Sequence, residues 1–387
     1  MGISRKRRRR DGSDALLEVG VYRVRGGADE PLAGIRVVRT SDEALVAVAL
    51  VAVDGQLTES DGGCEDGRCE DGRCFGLRGR RFVASCRGSI EEVGRDARWD
   101  LVGDFDAALY FCAGRDEAAF AACVRARGVA VLRGALSPED VRAATDGCWS
   151  WIERASRWRR RDPASWADPR GDFSERHGVV FVGGQCEGSW VARSAPGVLR
   201  AFAAIWDGDE DLIASMEPLI VWRPWRTPKD AKRTRGGWLH YDDDEAAYAG
   251  RCPVQGLVSL TPSSAATGGF VAVPDSHSSE DLERPTWRYA ALGPGDLVAW
   301  DSRTLHASEP GCDASAYDRA DLLRLACPVC LVPRAAATPD ALADRVRVHE
   351  AGGTTTHRPH RPEMRFAEDL EPPAPPPTLA PRMRRVL

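Results

Sequence analysis

From residue 212 to 335 the chain is a succession of short apolar runs, LIASMEPLIVW, GGWLHYD, VQGLVSLT, GGFVAVP, GDLVAW and LLRLACPVCLV, separated by turns rich in Gly, Pro and Asp. Runs of this length and composition read as strands, and the turn residues between them leave no space for helices. Many short strands in unbroken order close into a sandwich or a jelly roll. Ahead of this block the periodicity is helical. DEAAFAACVRARG predicts a helix ending at Gly128, VAVLRG a short strand, and APGVLRAFAAIWD a further helix. SPEDVRAATDGCWSWIERASRW opens with Ser137 as N-cap, Pro138 in the first helical position and Glu139 and Asp140 in the first turn. Its apolar residues Val141, Trp149 and Ile152 suit an amphipathic helix. Helices that precede an all-β block pack on its outside. The expected class is therefore mainly β with flanking helices (α+β), around a jelly-roll core.

The 387 residues suffice for one large domain with additions, or for two domains. Composition divides the chain into a basic tail (1–13), a small β-rich region (14–112), the jelly-roll domain with its helices (113–365) and a Pro-rich flexible end (366–387). The β-rich region carries strand-like runs such as EVGVYRVRG and ALVAVALVAV, and no recognisable chemistry. Within it EDGRC repeats. Cys64, Cys69 and Cys74 lack the second pair that a zinc knuckle needs, so the repeat reads as a low-complexity surface loop. The final EPPAPPPTLAP excludes helix and central strand and predicts an extended, mobile end.

A net charge of −5 gives no general reason to expect nucleic acid or an anionic membrane as partner, and no apolar run reaches the roughly 18 residues of a membrane span. KRRRR at Lys6–Arg10 is not followed by an apolar segment, which argues against secretion. It reads as a solvated tail, with a nuclear-import signal or a nucleic-acid patch as the alternatives. The expected location is cytoplasmic, and the twelve cysteines are then expected as free thiols. In CPVC, Cys327 and Cys330 face opposite sides of a strand and read as core packing.

Chemistry concentrates in WLHYDDDE. On a strand, His240 and Asp242 point to the same face, so an imidazole and a carboxylate converge. Two ligands hold a metal weakly, and the chain has only seven histidines to complete the set. His349, His357 and His360 lie in the polar C-terminal region, His177 precedes VVFVGG, and His277 ends a turn. His306, in GDLVAWDSRTLHAS, follows a strand of the same β block and is compatible with two-His-one-carboxylate coordination of non-haem Fe(II), which leaves positions open. O₂ takes one of these. A bidentate 2-oxo acid takes two, and its far carboxylate calls for a cation. Arg324 on the next predicted strand offers a forked, permanent charge, and Ser308 can add a hydroxyl from the face of His306. Each residue also has a plain reading: a charged loop for His240 and Asp242, a core histidine for His306, a pair with Asp321 for Arg324, a turn cap for Ser308.

GGWLHYDD, VQGLVSLTPSSAATGGFVAVPDSH, GDLVAWDSRTLHAS and LLRLACPVCLVP together resemble the phytanoyl-CoA dioxygenase-like proteins, which are Fe(II)/2-oxoglutarate oxygenases built on a double-stranded β-helix. The resemblance runs from about Gly128 to about Pro362 and takes in GSWVARSAPGVLRAFAAIWDGDEDL and GGTTTHRPHRP. It implies His240, Asp242 and His306 as iron ligands, Arg324 as the 2-oxoglutarate anchor and Ser308 as its helper. The carboxylate at Asp242 argues against the halogenating branch, which lacks one. Two departures stand out: Asp243 where the family often has Gln, and Asp275 where it usually has the glycine of PGSH. Asp243 places extra negative charge near the iron. Trp238, on the strand face of His240, is expected to wall the substrate pocket with Asp243, whereas Trp222 and Trp225 read as core and Arg223 and Arg226 as a solvated face or as contacts for an anionic substrate.

The expected activity is hydroxylation of a small organic substrate with Fe(II), 2-oxoglutarate and O₂. The alternatives are a cupin-like metal-dependent isomerase or hydrolase, which has no need of Arg324, and an inactive β-helix acting as a binding module. Substrate and oligomeric state are not readable. If Asp242 is the correct acid, Asp243→Gln leaves Fe(II) binding intact and Asp242→Ala removes it in a metal titration; equal loss from both would show that the wrong acid was chosen.

Overall fold

Five of the six apolar runs of the central block form buried strands; in GGWLHYD, expected as a strand, the described residues 239–242 contribute only an isolated bridge at His240. The computed structural model describes residues 100–167, 178–224, 234, 239–242, 244–265, 267–278, 286–310, 321–365 and 375–387, and of the earlier residues the backbone of seven strands between Leu17 and Glu92. The chain divides into two compact units, residues 1–103 with 283–286, and residues 104–282 with 287–387. In the first unit, Leu17–Tyr22, Gly34–Arg39, Leu45–Val53 and Gln56–Glu59 make an antiparallel meander. Cys74–Leu77, Arg80–Ala84 and Ile90–Glu92 make a second. Cys64 and Cys69 of the EDGRC repeat lie outside the described residues.

The second unit carries the site, and its strands are numbered here in chain order. They are β1 (Tyr110–Cys112), β2 (Val129–Arg133), β3 (Val179–Val180), β4 (Leu212–Ala214), β5 (Leu219–Trp222), β6 (Val254–Ser259), β7 (Gly268–Ala272), β8 (Thr286–Tyr289), β9 (Leu297–Asp301), β10 (His306–Pro310) and β11 (Arg324–Pro333). The larger sheet runs β3-β5-β11-β6-β9-β2-β1, with β4 also paired to β11; the smaller contains β10-β7-β8. From β6 to β11 the chain passes repeatedly between the sheets, so strands distant in sequence become neighbours, as in a jelly roll. YFC at 110–112, read above with the N-terminal region, is the parallel edge partner of β2 instead, with Tyr110 opposite Val131. Three apolar-edged residues do not reveal which sheet will accept them.

Alternate residues of each central strand enter different cores. Val129 and Val131, Val298 and Trp300, and Leu257 and Ala326 join Phe270 and Ala272 between the two sheets. Ala130, Leu132, Leu297, Ala299, Val258 and Cys327 face the helices instead. Because both faces are apolar, these strands read as continuous hydrophobic runs rather than alternating ones. Cys327 and Cys330 are buried free thiols, as expected.

The helices lie on the outer face of the larger sheet. They are α1 (Glu117–Arg127), α2 (Pro138–Ala155), α3 (Glu187–Arg193), α4 (Pro196–Ile205) and α5 (Pro339–Glu350). α1 stops at Gly128, which takes the left-handed conformation. Ser137 Oγ accepts from the Asp140 amide and starts α2. α3 was not foreseen; its seven residues are too few to establish a period. Among the described residues, no helix is long and apolar enough to cross a membrane.

The Pro-rich end differs from expectation over its described part, residues 375–387. Leu379, Met383 and Val386 are buried in the helix-side core, Pro381–Arg384 forms a short helix, and the Ala214 amide donates to Val386 O. The prolines do prevent secondary structure before it, but the apolar residues after them supply the burial that docks the end.

Asp275 occupies the turn-glycine position with φ of 70°. Asp tolerates this left-handed conformation better than most residues, and Arg127 holds it through Nε–Oδ1 at 2.6 Å and Nη2–Oδ2 at 2.9 Å. Asp275→Ala keeps the strain and loses the ion pair, so it should lower stability by about 1–2 kcal/mol. Asp275→Gly removes the strain and should stay within about 1 kcal/mol of wild type. Thermal unfolding of the two variants checks the order.

Candidate metal centre

β10 enters the inner layer through His306, whose ring packs against Trp300 (centroids 5.0 Å apart) and Phe270 (5.7 Å). The free edge of β10 takes up His240 as an isolated antiparallel bridge: His240 N donates to His306 O at 3.0 Å and His306 N to His240 O at 3.1 Å. Two residues on, the Asp242 amide donates to Ser302 O at 3.0 Å. The chain is thus fixed so that both side chains of the His-x-Asp pair turn toward His306. Asp242 Oδ1 lies 3.3 Å from His240 Nε2 and Oδ2 3.2 Å from His306 Nε2. Ligand-type atoms of all three residues fall within 4.8 Å of one another.

Hydrogen bonding fixes the polarity of this group. His306 Nδ1 is 2.8 Å from Thr304 O; a carbonyl only accepts, so Nδ1 carries hydrogen and Nε2 is the ring nitrogen turned to the site. Burial pushes the Asp242 carboxyl up, but contacts with His240 and His306, with further charge from His306 and His357, outweigh it and hold Asp242 well below the usual carboxylate range. A metal cation between the imidazole nitrogens and the ionised carboxylate would replace the hydrogens they share and satisfy both. The donor set of two imidazoles and one carboxylate fits a first-row divalent metal with open positions. The side chains of His240 and Asp242 keep 31% and 20% exposure against 7% for His306, so the group opens on the His240 side.

Arg324 begins β11 opposite Trp222 in register. Ala326, two residues on, faces the inner layer, and so does Arg324. It is fully buried, and its Cζ lies 4.8 Å from the Trp222 ring centroid. Nη1 donates to Ser308 Oγ at 2.8 Å. Nε and Nη2 are buried with no hydrogen-bond partner among the described residues. Burial pulls its pKa down to about 9, which leaves it charged at neutral pH. A buried guanidinium with unmatched donors is costly unless an anion completes it. Among the described residues Arg324 donates to Ser308 and forms no pair with Asp321.

Gln255 escaped the sequence reading. From the inner face of β6 its Nε2 donates to Asp242 Oδ2 at 2.6 Å. The available signal was a lone amide inside the buried run VQGLVS. Trp222 is buried, as expected, and also stacks on Arg324. His277 bonds to Arg125 O and His349 to Gln185, both away from the triad. Trp238, Asp243, Trp225, Arg226 and His177 lie outside the described residues.

The sequence matches the family model for phytanoyl-CoA dioxygenase (PhyH) over residues 124–312. "Ava biosynthesis cluster protein O" of Aspergillus versicolor is 30% identical over 270 residues, covering 60% of this chain and 83% of that protein. Solved structures with a related chain path include the non-heme alpha ketoglutarate dependent carbocyclase SnoK from nogalamycin biosynthesis, at 17% identity over 55% of this chain and 82% of that one, with a TM-score of 0.39. AviO1 from Streptomyces viridochromogenes Tue57 is 21% identical over 58% of this chain and 97% of that one, with a TM-score of 0.36.

Gln255 fixes one oxygen of a carboxylate whose other oxygen is then free to meet a metal. Gln255→Leu should weaken Fe(II) binding by about 10–100-fold without unfolding the protein. Isothermal titration alongside a thermal melt measures this; unchanged affinity would remove Gln255 from the site.

Proposed function

Because the chain belongs to the phytanoyl-CoA dioxygenase family and is an iron- and 2-oxoglutarate-dependent oxygenase, we propose that it hydroxylates a small organic substrate. In this reading His240, Asp242 and His306 are the iron ligands, Arg324 binds the far carboxylate of 2-oxoglutarate, and Ser308 assists it. The bound iron and 2-oxoglutarate supply the oxidising chemistry, in which O₂ converts 2-oxoglutarate to succinate and CO₂ and delivers an oxygen atom to the substrate.

The observation that carries the reading is the Arg324 guanidinium, buried beside the triad with Nε and Nη2 unmatched. A planar carboxylate pairs with such a fork, and the desolvated surroundings strengthen the bond. Ser308 Oγ accepts from Nη1 and so orients the guanidinium. Trp222 covers one face of the guanidinium and excludes water. Thr304 O holds the His306 tautomer and Gln255 holds Asp242, so the donor atoms are oriented in advance. A cupin-like isomerase or a binding module has no use for a buried cation at this position. Trp238 and Asp243 are proposed to line the substrate side.

Wild-type protein with Fe(II) should release succinate from 2-oxoglutarate, and Asp242→Ala should not. Arg324→Ala should raise the 2-oxoglutarate requirement thirty-fold or more, since truncating one side of a buried charge pair costs about 2–5 kcal/mol. Mass spectrometry of a cell extract incubated with the enzyme should show a product heavier by one oxygen atom. Absence of succinate from wild type, or an unchanged requirement in Arg324→Ala, would defeat the proposal.

A further inference from the structure

Three arginines are fully buried among the described residues, Arg193, Arg324 and Arg345. Two of them are held by carbonyl oxygens. Arg345 donates to Ala214 O, Pro359 O, Val386 O and Leu387 O. Arg193 donates to Gly184 O and Glu217 O, both at 2.8 Å. Arg324 differs. It donates to the Ser308 hydroxyl, and no carboxylate among the described residues pairs with it. The Trp222 indole supports the rest of the guanidinium.

The Trp222 ring is itself held from the other side. In the larger sheet β5 lies between β3 and β11, and Trp222 stands on β5 with Arg324 as its cross-strand partner on β11. Just before β3, Gly178 O accepts from the Val221 amide at 2.9 Å, which sets Gly178 beside the indole. Gly178 is buried with φ of 72°, and a Cβ built on it would overlap Cδ1 and Nε1 of Trp222. Glycine alone tolerates both that conformation and that closeness. The indole thus fills the space between a bare stretch of backbone and the guanidinium, and it cannot swing toward β3 without meeting Gly178.

A π face differs from an acid in what it leaves available. A carboxylate partner would cancel the charge of Arg324 and occupy its fork. The face of an indole attracts a desolvated cation and leaves both the charge and the unmatched Nε and Nη2 to an incoming anion. We propose that Trp222, seated against Gly178, is a positioning residue of the 2-oxo acid site. In place of an acidic partner it carries the Arg324 guanidinium and fixes the direction of its fork, and so sets the preference for 2-oxo acids with a second carboxylate over monoacids. This rests on the oxygenase reading above, in which Arg324 takes the far carboxylate of 2-oxoglutarate.

The test is isothermal titration of the Mn(II)-loaded full chain with 2-oxoglutarate and with 2-oxovalerate, which keeps the chelating end and the chain length without the far carboxylate. Wild type should bind 2-oxoglutarate about thirty-fold or more tightly than 2-oxovalerate. Trp222→Leu should cut that preference by about ten-fold and leave the 2-oxovalerate affinity unchanged. Trp222→Phe, which keeps an aromatic face, should retain most of the preference. Gly178→Ala displaces the ring and should lose preference as Trp222→Leu does; it carries the test if Trp222→Leu does not fold. An equal fall in affinity for both acids would mark Trp222 as structural only, and an unchanged preference would make the guanidinium independent of it; either result overturns the proposal. Equal binding of the two acids by wild type would overturn the assignment of Arg324, and this inference with it.

Discussion

The inner layer between the two sheets is apolar almost throughout, and the strands that build it are buried on both faces. Any polar group admitted there must be matched, because burial without a partner costs about 1–3 kcal/mol per group. The residues that interrupt this layer are therefore informative. Gln255, His306, Ser308 and Arg324 lie on the inner faces of β6, β10 and β11, and Asp242 reaches them from the edge. Most of their bonds are to one another. Among the described residues they leave the Nε and Nη2 of Arg324 without a partner, which is the capacity for an anion, while the two imidazoles and the carboxylate of Asp242 together offer a donor set for a cation.

The same constraint explains how precision is obtained from a segment that is hardly a strand. His240 and Asp242 make no long ladder. The mutual amide bonds with His306 and the bond to Ser302 O suffice, since β10 is itself paired along its length with β7. The turn before β10 is held in the same way: Ser276 Oγ accepts from the Leu305 amide, and Thr304 Oγ1 donates to Gly128 O. The geometry of the candidate ligands is inherited from backbone pairing, which a side-chain substitution disturbs least.

Much of the larger unit could be read from its residues. Ser137, Pro138 and Gly128 mark helix ends through capping chemistry that acts within a few residues, and α1 and α2 appear where those signals place them. The strands of the β block follow from apolar runs between Gly, Pro and Asp turns. Less readable were α3, too short for a period, and YFC at 110–112, whose sheet is chosen by β2 far along the chain. The residues after PPP were misjudged because proline forbids local structure without forbidding burial: Leu379, Met383 and Val386 dock by apolar contact alone.

The sequence by itself determined the chemistry on offer: a His and an Asp two apart, a later His, an Arg and a Ser at strand spacing, and a net charge that points to no polyanion. Strand periodicity and donor chemistry are local, and they survive without a fold. Only the tertiary structure decided that Asp242 faces His306, that Gln255 holds one of its oxygens, and that Arg324 is stripped of water against Trp222. Those relations depend on which sheet each strand joins. They belong to long-range pairing, and no spacing along the chain encodes them.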